Sequence, residues 1–333
     1  MTVKAQGKTD PDNTSSANSV PGEDANKPQE IPARGWVQIA KRGWAEAKTD
    51  NVPLMAAGVA FYAFLALFPA MIAGVILYGV IADPATIASQ VGAVTQALPD
   101  DAKKLITEQL TTLSGERKAG IGAIFAVLVA LWSASGGVGN LMTAVNIAYD
   151  EEETRGFIKK RAIALALTVG AIVFMVIMLA LVAVAPVVLD FLGSSGIIWF
   201  LLQVARWVIL VVVITVALSI LYRVAPDRDA PKLRWVSVGA GVATVLWLLA
   251  SIGFSVYAGM GGYGKTYGAL AGIVVLLFWL WITAYAILLG AEINAESEQQ
   301  TVADTTKGPE EPIGQRNAVK ADSLPTDAEP PKK

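Results

Sequence analysis

Long apolar stretches alternate with short polar segments through most of the chain. A helix that crosses the roughly 30 Å hydrocarbon core of a bilayer needs about 20 mostly apolar residues, and six stretches reach that length with few internal charges. They lie at residues 54–82, 120–148, 161–189, 198–222, 235–258 and 268–293. Buried helices of a soluble bundle would need polar outer faces, which residues 164–185 lack. The pattern predicts an all-α polytopic membrane protein with six transmembrane helices.

The two ends of the chain are polar. Residues 1–33 and 297–333 are rich in proline, charged and small polar side chains and hold no long apolar stretch. This composition predicts two disordered tails, with residues 34–296 forming one membrane domain. Basic residues cluster before the first span, between the second and third, and between the fourth and fifth. Although the first loop also carries basic residues, the balance places both tails in the cytoplasm.

Two segments outside the spans are amphipathic. The apolar face of residues 34–48 is formed by Trp36, Ala40, Trp44 and Ala47. Such a face is typical of a helix in the headgroup layer, and the alternative is a helix docked on the protein itself. Residues 84–117 carry two apolar stripes separated by Pro99, which predicts an external helical hairpin that caps the domain or contacts a partner.

The composition excludes several kinds of catalytic and metal-binding site. Hydrophobic residues make up 54% of the 333 residues and charged residues 16%, and there is no cysteine or histidine. Disulfides, thiolate or imidazole metal sites and histidine-dependent catalysis are therefore excluded. Lysine and arginine number 26 against 28 acidic residues, so no basic excess indicates a nucleic-acid partner. We expect no cofactor and no enzymatic activity.

Four blocks of sequence resemble those of a known family. They read AAGVAFYAFLALFPA (56–70), WSASGGVGNLMTAVNIAYDEEETRGFIKKR (132–161), LYRVAPDR (221–228) and YGKTYGALAGIVVLLFWLWITAYAILLGAEINAE (263–296). In this order they are similar to the blocks of the YihY/virulence factor BrkB family. The resemblance implies a six-helix protein of the bacterial inner membrane. It implies little about activity, since some members carry the old name ribonuclease BN and others are linked to serum resistance or proposed as transporters.

Strongly polar groups inside the spans are candidates for function, because they are costly in lipid. Arg206 lies in the fourth span with Gln203 three residues earlier on the same face. This pair predicts a contact with an anion or a lipid headgroup. The alternative is an arginine that extends to the interface or pairs with Asp190.

The second span is polar in its latter half. Its candidate pathway residues are Ser133, Gly136, Gly137, Asn140 and Asn146, with Tyr62 facing them from the first span. Clustered glycines weaken a helix, so we predict local unwinding that exposes backbone groups to a solute, as in discontinuous transporter helices. Close helix packing is the alternative.

The loop before the last span and the end of that span add three features. The glycine-rich loop carries Lys265 but lacks phosphate-loop spacing, so we exclude nucleotide binding and place Lys265 in an outer vestibule. A ridge of Gly264, Gly268 and Gly272 predicts tight packing of the last span. Glu292 and Asn294 are either a proton- or ion-coupling pair or a helix-end carboxylate beside an amide.

A run of four acidic residues, 150–153, precedes Arg155 and a basic KKR triplet. Clustered carboxylates can bind Mg²⁺ for phosphodiester cleavage, but no second acidic motif completes a two-metal site. We favour a solvated cap with local salt bridges.

The leading hypothesis is a permease of unknown solute or lipid substrate, with membrane lipids as partners, for which an anionic lipid suits the arginine. The second is a non-catalytic scaffold for envelope assembly, and the third, least favoured, is a ribonuclease. Six spans form either a complete pathway or half of a homo-oligomeric one.

Overall fold

The computed structural model describes residues 20–81, 120–184, 196–260 and 270–325. Within these ranges the chain forms seven long helices, which we number in chain order. They are α1 (Ala33–Thr49), α2 (Val52–Ile81), α3 (Gly120–Ala148), α4 (Phe157–Leu179), α5 (Ile197–Val224), α6 (Leu233–Met260) and α7 (Ala271–Gln299). A 3-10 turn at Pro28–Glu30 precedes α1, and α4 continues as a π-helical turn at Ala180–Val184.

The six helices α2 to α7 are long and apolar enough to cross a membrane, which confirms the predicted all-α architecture. Many of their large apolar side chains are exposed, for example Ile158, Trp207 and Leu249. In a membrane helix such side chains contact lipid. Their exposure therefore does not call for a soluble protein partner to cover them. The predicted external hairpin at 84–117 lies outside the described residues.

Among the described residues, the helices pack as an open arc. α3 packs on α2, α2 on α7, α7 on α6 and α6 on α5, while α4 packs chiefly on α3. α4 and α5 form the two ends of the arc and meet only weakly. The buried core lies toward the end that carries both termini and includes Val52, Met142, Tyr222, Val236 and Leu288.

Among the described residues, α6 and α7 cross at close range. A side chain on Gly239 would collide with the carbonyl oxygen of Gly290, and one on Gly290 would collide with the Tyr222 hydroxyl and Ala243. The Tyr222 hydroxyl donates to the Ile287 carbonyl at 2.7 Å. The predicted ridge of the last span differs: Gly272 has open space around it, and its other two glycines lie outside the described residues.

Helix α1 docks along the end of α7. Its buried residues are Gly35, Ile39, Gly43 and Ala47. Gly43 lets the backbones approach, because a Cβ there would lie 3.1 Å from Ile293. Trp44, on the face predicted to be apolar, is half exposed and points away from this contact. The helix therefore docks on the protein, and its position in the headgroup layer stays a prediction.

The C-terminal segment differs from the disordered tail predicted from composition. α7 continues to Gln299, and residues 300–325 lie against the ends of the helices. Val302 N donates to the Glu23 carbonyl and Lys307 N to the Ala230 carbonyl, both at 2.8 Å. The buried Arg316 guanidinium donates to the carbonyls of Val302 and Ala321. Composition misses this order because the segment uses hydrogen bonds and not an apolar core.

Candidate functional site

One end of the bundle collects most of the buried polar groups. We call it the terminal face: α1, the loop 149–156, the loop 225–232, the end of α7 and residues 300–325. Hydrogen bonds connect these elements across the face. Three features of the molecule bear on function, namely the ion pairs of this face, the polar residues of α3, and arginines beside apolar helices.

The predicted pathway in α3 is not a break in the helix. α3 is helical throughout Gly120–Ala148, so the predicted unwinding is wrong. Asn140 Nδ2 donates to the Gly136 carbonyl at 2.9 Å, so the amide makes a hydrogen bond within its own helix. A Cβ on Gly137 would lie 3.1 Å from the Tyr62 carbonyl oxygen. Close packing on α2 therefore explains Gly137 and the position of Tyr62.

The other α3 candidates separate in the structure. Ser133 is exposed on the helix surface, and Gly136 has open space around its Cα. Asn146 is buried at the terminal face, where its Oδ1 accepts from Asp227 N at 2.8 Å and its Nδ2 donates to Glu153 at 3.1 Å. Asn146 thus joins two loops, and its polarity has a structural cause.

Ion pairs surround Asn146. The Arg155 side chain is 4% exposed, and its Nε lies 2.6 Å from Glu153 Oε1 and 3.5 Å from Asp227 Oδ1. The hydrogen bond from Arg155 holds the pKa of Glu153 below its usual value. Burial opposes ionisation of Asp227, but hydrogen bonds from Thr154 outweigh it and lower the Asp227 pKa. Both carboxylates are therefore held as anions.

Two more residues of the acidic run, Glu151 and Asp150, also have partners. Glu151 Oε1 accepts from Val319 N at 2.9 Å, and burial raises the Glu151 pKa to about 7. Asp150 lies 3.2 Å from Lys320 Nζ. Among the residues that the structure describes, no group of three or more acidic side chains has the arrangement of a metal site. The local salt bridges predicted for this run are present.

A second buried pair lies deeper in the face. Arg228 Nη2 contacts Glu298 Oε2 at 2.5 Å, and both side chains are fully buried. The Arg228 guanidinium stacks over the Tyr149 ring at 5.0 Å, and the Thr305 hydroxyl donates to Glu298 at 2.7 Å. Burial raises the pKa of Tyr149, so its hydroxyl stays neutral.

Glu292 and Asn294 are not hydrogen bonded to each other. Asn294 Oδ1 accepts from Gly239 N at 2.6 Å and its Nδ2 donates to the Val236 carbonyl, which ties α7 to α6. Glu292 is 1% exposed, and neither of its carboxylate oxygens has a hydrogen-bond partner. Lys265 lies outside the described residues.

Arg206 and Gln203 are polar groups on an apolar helix. Arg206 Nε and Gln203 Oε1 are both buried and have no hydrogen-bond partner. The guanidinium lies 5.5 Å from the centre of the Trp207 ring. The alternative partner, Asp190, lies outside the described residues.

The structure adds Arg161 to the candidate functional residues. From the sequence it served only as one of the basic residues that indicate orientation in the membrane. Its guanidinium stacks on the Trp132 ring at 4.1 Å and donates to the Trp132 carbonyl, while its Nε is buried without a partner. Trp132 lies 16 residues before the end of α3, about 24 Å along a helix. The signal available in the sequence was a basic residue at the first position of the predicted third span.

Fold and site together define a class: a polytopic α-helical membrane protein with a buried ion-pair network at one end. A family model described as virulence factor BrkB matches residues 44–314. The chain therefore belongs to the virulence factor BrkB family, as the sequence blocks predicted.

Relatives agree with the membrane class. The chain is 34% identical over 245 residues to the putative ribonuclease-like protein YfkH of Bacillus subtilis, covering 72% of this chain and 87% of the relative. It is 26% identical over 212 residues to the UPF0761 membrane protein IL2447 of Idiomarina loihiensis, covering 61% and 69%. It is 38% identical over 92 residues to a UPF0761 membrane protein of Tolumonas auensis, covering 27% and 30%. No solved structure matches the chain significantly.

Proposed function

We propose that the protein binds an anionic amphiphile, such as a phospholipid, from the bilayer and moves it, without catalysing a covalent reaction. The observation that carries the proposal is the pair Arg206 and Gln203 on α5. Arg206 Nε and Gln203 Oε1 are buried with no partner in the protein.

We place the protein in the bacterial inner membrane with the terminal face in the cytoplasm, since the loops of that face carry the basic clusters.

The chemistry of the pair suits a phosphate group. An arginine at the centre of a membrane helix costs about 2.5–3.5 kcal/mol on insertion scales, and a phosphate offsets this cost with charge-assisted, bidentate hydrogen bonds. Gln203 lies one helical turn away, and its free Oε1 accepts a hydrogen bond from a headgroup hydroxyl or ammonium.

The side chains around Arg206 and Gln203 leave room for a lipid to approach from the bilayer. Val204, Trp207 and Val208 on the same helix are about half exposed. α5 is one end of the open arc and meets α4 only weakly. A phospholipid can therefore approach from the bilayer without displacing a packed helix. Arg161, on α4, carries a second uncommitted guanidinium Nε beside lipid-exposed aromatic rings.

Co-purified lipid tests the binding step. We expect native mass spectrometry of gently extracted wild-type protein to find a specific anionic lipid, and its occupancy to fall about tenfold or more in Arg206→Ala, since a charge-assisted bond is worth about 1.5–3 kcal/mol. Arg223→Ala is the matched control, because it removes an arginine near the other end of α5. Equal lipid occupancy in wild type and Arg206→Ala refutes the assignment.

Transfer of a fluorescent anionic lipid between leaflets of proteoliposomes tests the movement step. Wild type and Arg223→Ala should transfer the lipid at similar rates, and Arg206→Ala should be slower. Binding without any transfer by the wild type would instead support the scaffold hypothesis. In that case deletion of residues 84–117 should abolish partner capture.

A further inference from the structure

An ammonium group sits inside an acidic pocket of the terminal face. Lys320 Nζ lies 2.8 Å from Glu296 Oε1, 3.2 Å from Asp150 Oδ2 and 3.6 Å from Glu46 Oε1. The three carboxylates belong to α7, to the loop after α3 and to α1. Lys320 Nζ donates a hydrogen bond to Glu296, and Asp150 and Glu46 lie within ion-pair distance of the same ammonium.

Beneath this contact lies a fourth carboxylate with no partner. Glu292 is 1% exposed and neither of its oxygens is hydrogen bonded. Glu292 lies one helical turn before Glu296 on the same face of α7, and a Cβ on Gly43 of α1 would lie 3.8 Å from the Glu292 Cβ, so Glu292 borders the same pocket between α7 and α1. Arg42 contacts Glu296 at 2.5 Å from another side. The ion pairs of the pocket thus join three carboxylates, Glu46, Asp150 and Glu296, with two cations, Lys320 and Arg42, and this excess of carboxylates favours retention of a cation.

Lys320 is the cation that the C-terminal segment supplies. Its side chain is 4% exposed. Burial opposes its charge, but Glu296 and Asp150 outweigh that effect and raise the Lys320 pKa. Arg316, the other buried basic residue of the segment, donates to the carbonyls of Val302, Ala303, Glu311 and Ala321. Arg316 thus folds the segment on itself, whereas Lys320 adds an ion pair to the hydrogen bonds that attach the segment to the rest of the protein.

We propose that Glu46, Asp150, Glu292 and Glu296 form a binding site for a primary ammonium group, which Lys320 fills as a tethered ligand. Residues 300–325 are then a releasable cover over Glu292. The cover dissociates when the ammonium leaves, because removal of one partner from a buried ion pair leaves uncompensated charge. The inference goes beyond lipid handling and does not depend on it.

Hydrogen exchange measures release of the cover. With full-length protein in nanodiscs, we expect the amides of residues 300–325 to exchange about tenfold faster or more in Lys320→Ala than in wild type. Lys307→Ala is the matched control, since Lys307 belongs to the same segment and its side chain is exposed. It should exchange as the wild type does.

Chemical rescue identifies the ligand class. Propylammonium supplies the atoms that Lys320→Ala removes, and it should restore protection to within about threefold of wild type. Tetramethylammonium at the same concentration carries the same charge but no N–H donors, and it should restore little. Rescue by both salts alike, or by neither, would contradict an ammonium site.

A milder variant guards against misfolding of Lys320→Ala. Asp150 has φ +56, a backbone conformation that asparagine tolerates well, so Asp150→Asn should fold. We expect its residues 300–325 to exchange severalfold faster than those of wild type, and the double variant Lys320→Ala/Asp150→Asn to lose rescue by propylammonium. Unchanged exchange in both single variants would overturn the proposal.

Discussion

At the scale of single residues, buried polar side chains in this protein divide by whether their hydrogen bonds are satisfied. Asn146 and Asn294 each use both ends of the amide to join two elements. Arg206 and Glu292 leave polar atoms unpartnered. The sequence marks all four equally, because polarity inside an apolar stretch is visible while the partner is not. Unsatisfied groups are the better candidates for ligand contact, since their desolvation is not yet offset.

Glu151 should make the folded protein less stable as pH rises. Its folded pKa, raised by burial to about 7, lies above the unfolded value, so the folded state binds more protons between about pH 4.5 and 7. Wild-type stability then decreases as pH rises through this range. Glu151→Gln removes the effect and keeps an acceptor for Val319 N. Its melting temperature should exceed that of wild type by more at pH 8 than at pH 5. The exposed neighbour Glu152, changed to glutamine, serves as control, and an equal difference at both pH values would contradict the assignment.

Asp227 should have the opposite effect, making the folded protein less stable as pH falls. Its folded pKa is lowered, so its contribution to stability is present at neutral pH and is lost as pH falls through the folded pKa. Asp227→Asn should therefore be least stable relative to wild type near pH 7 and should approach wild type on acidification. Thermal unfolding in detergent from neutral pH down to about pH 2, below the unfolded Asp pKa of about 3.9, measures this, and a deficit that grows with acid would refute it.

At the scale of helices, the crossing of α6 and α7 depends on two glycines that the apolar pattern does not distinguish from others. Gly239 has no room for a Cβ, whereas Gly241, two residues along α6, has open space. Of the predicted ridge, Gly272 has open space around it, while Gly264 and Gly268 lie outside the described residues and their packing stays a prediction. The spacing of small residues permits close approach but does not choose the partner helix.

Alanine substitutions test that crossing. Gly239→Ala should lower the free energy of unfolding by about 3 kcal/mol or more, since the added methyl meets backbone that cannot yield. Gly241→Ala should be neutral or slightly stabilising, because alanine is the better helix former. Denaturant unfolding followed by circular dichroism gives both values. Similar effects of the two substitutions would show that the α6–α7 contact is looser than described.

At the scale of the whole molecule, the proposed topology of six spans predicts that both ends of the chain lie in the cytoplasm. The chain has no cysteine, so single cysteines can be introduced without removing others. Lys307→Cys on the terminal face should react with an impermeant maleimide only after the inner membrane is opened. Ile197→Cys, exposed at the opposite end of α5, should react in spheroplasts with an intact membrane. The reverse pattern would invert the proposed orientation.

By itself the sequence determined the class of protein, because length and apolarity dictate how many helices can cross a bilayer. It also determined the family, through blocks such as 132–161. Only the tertiary structure decided which polar residues are satisfied, because partners such as Asp227 for Asn146 and Lys320 for Glu296 are distant in sequence. The same holds for residues 300–325, whose order comes from hydrogen bonds to the helix ends, a contribution that composition cannot register.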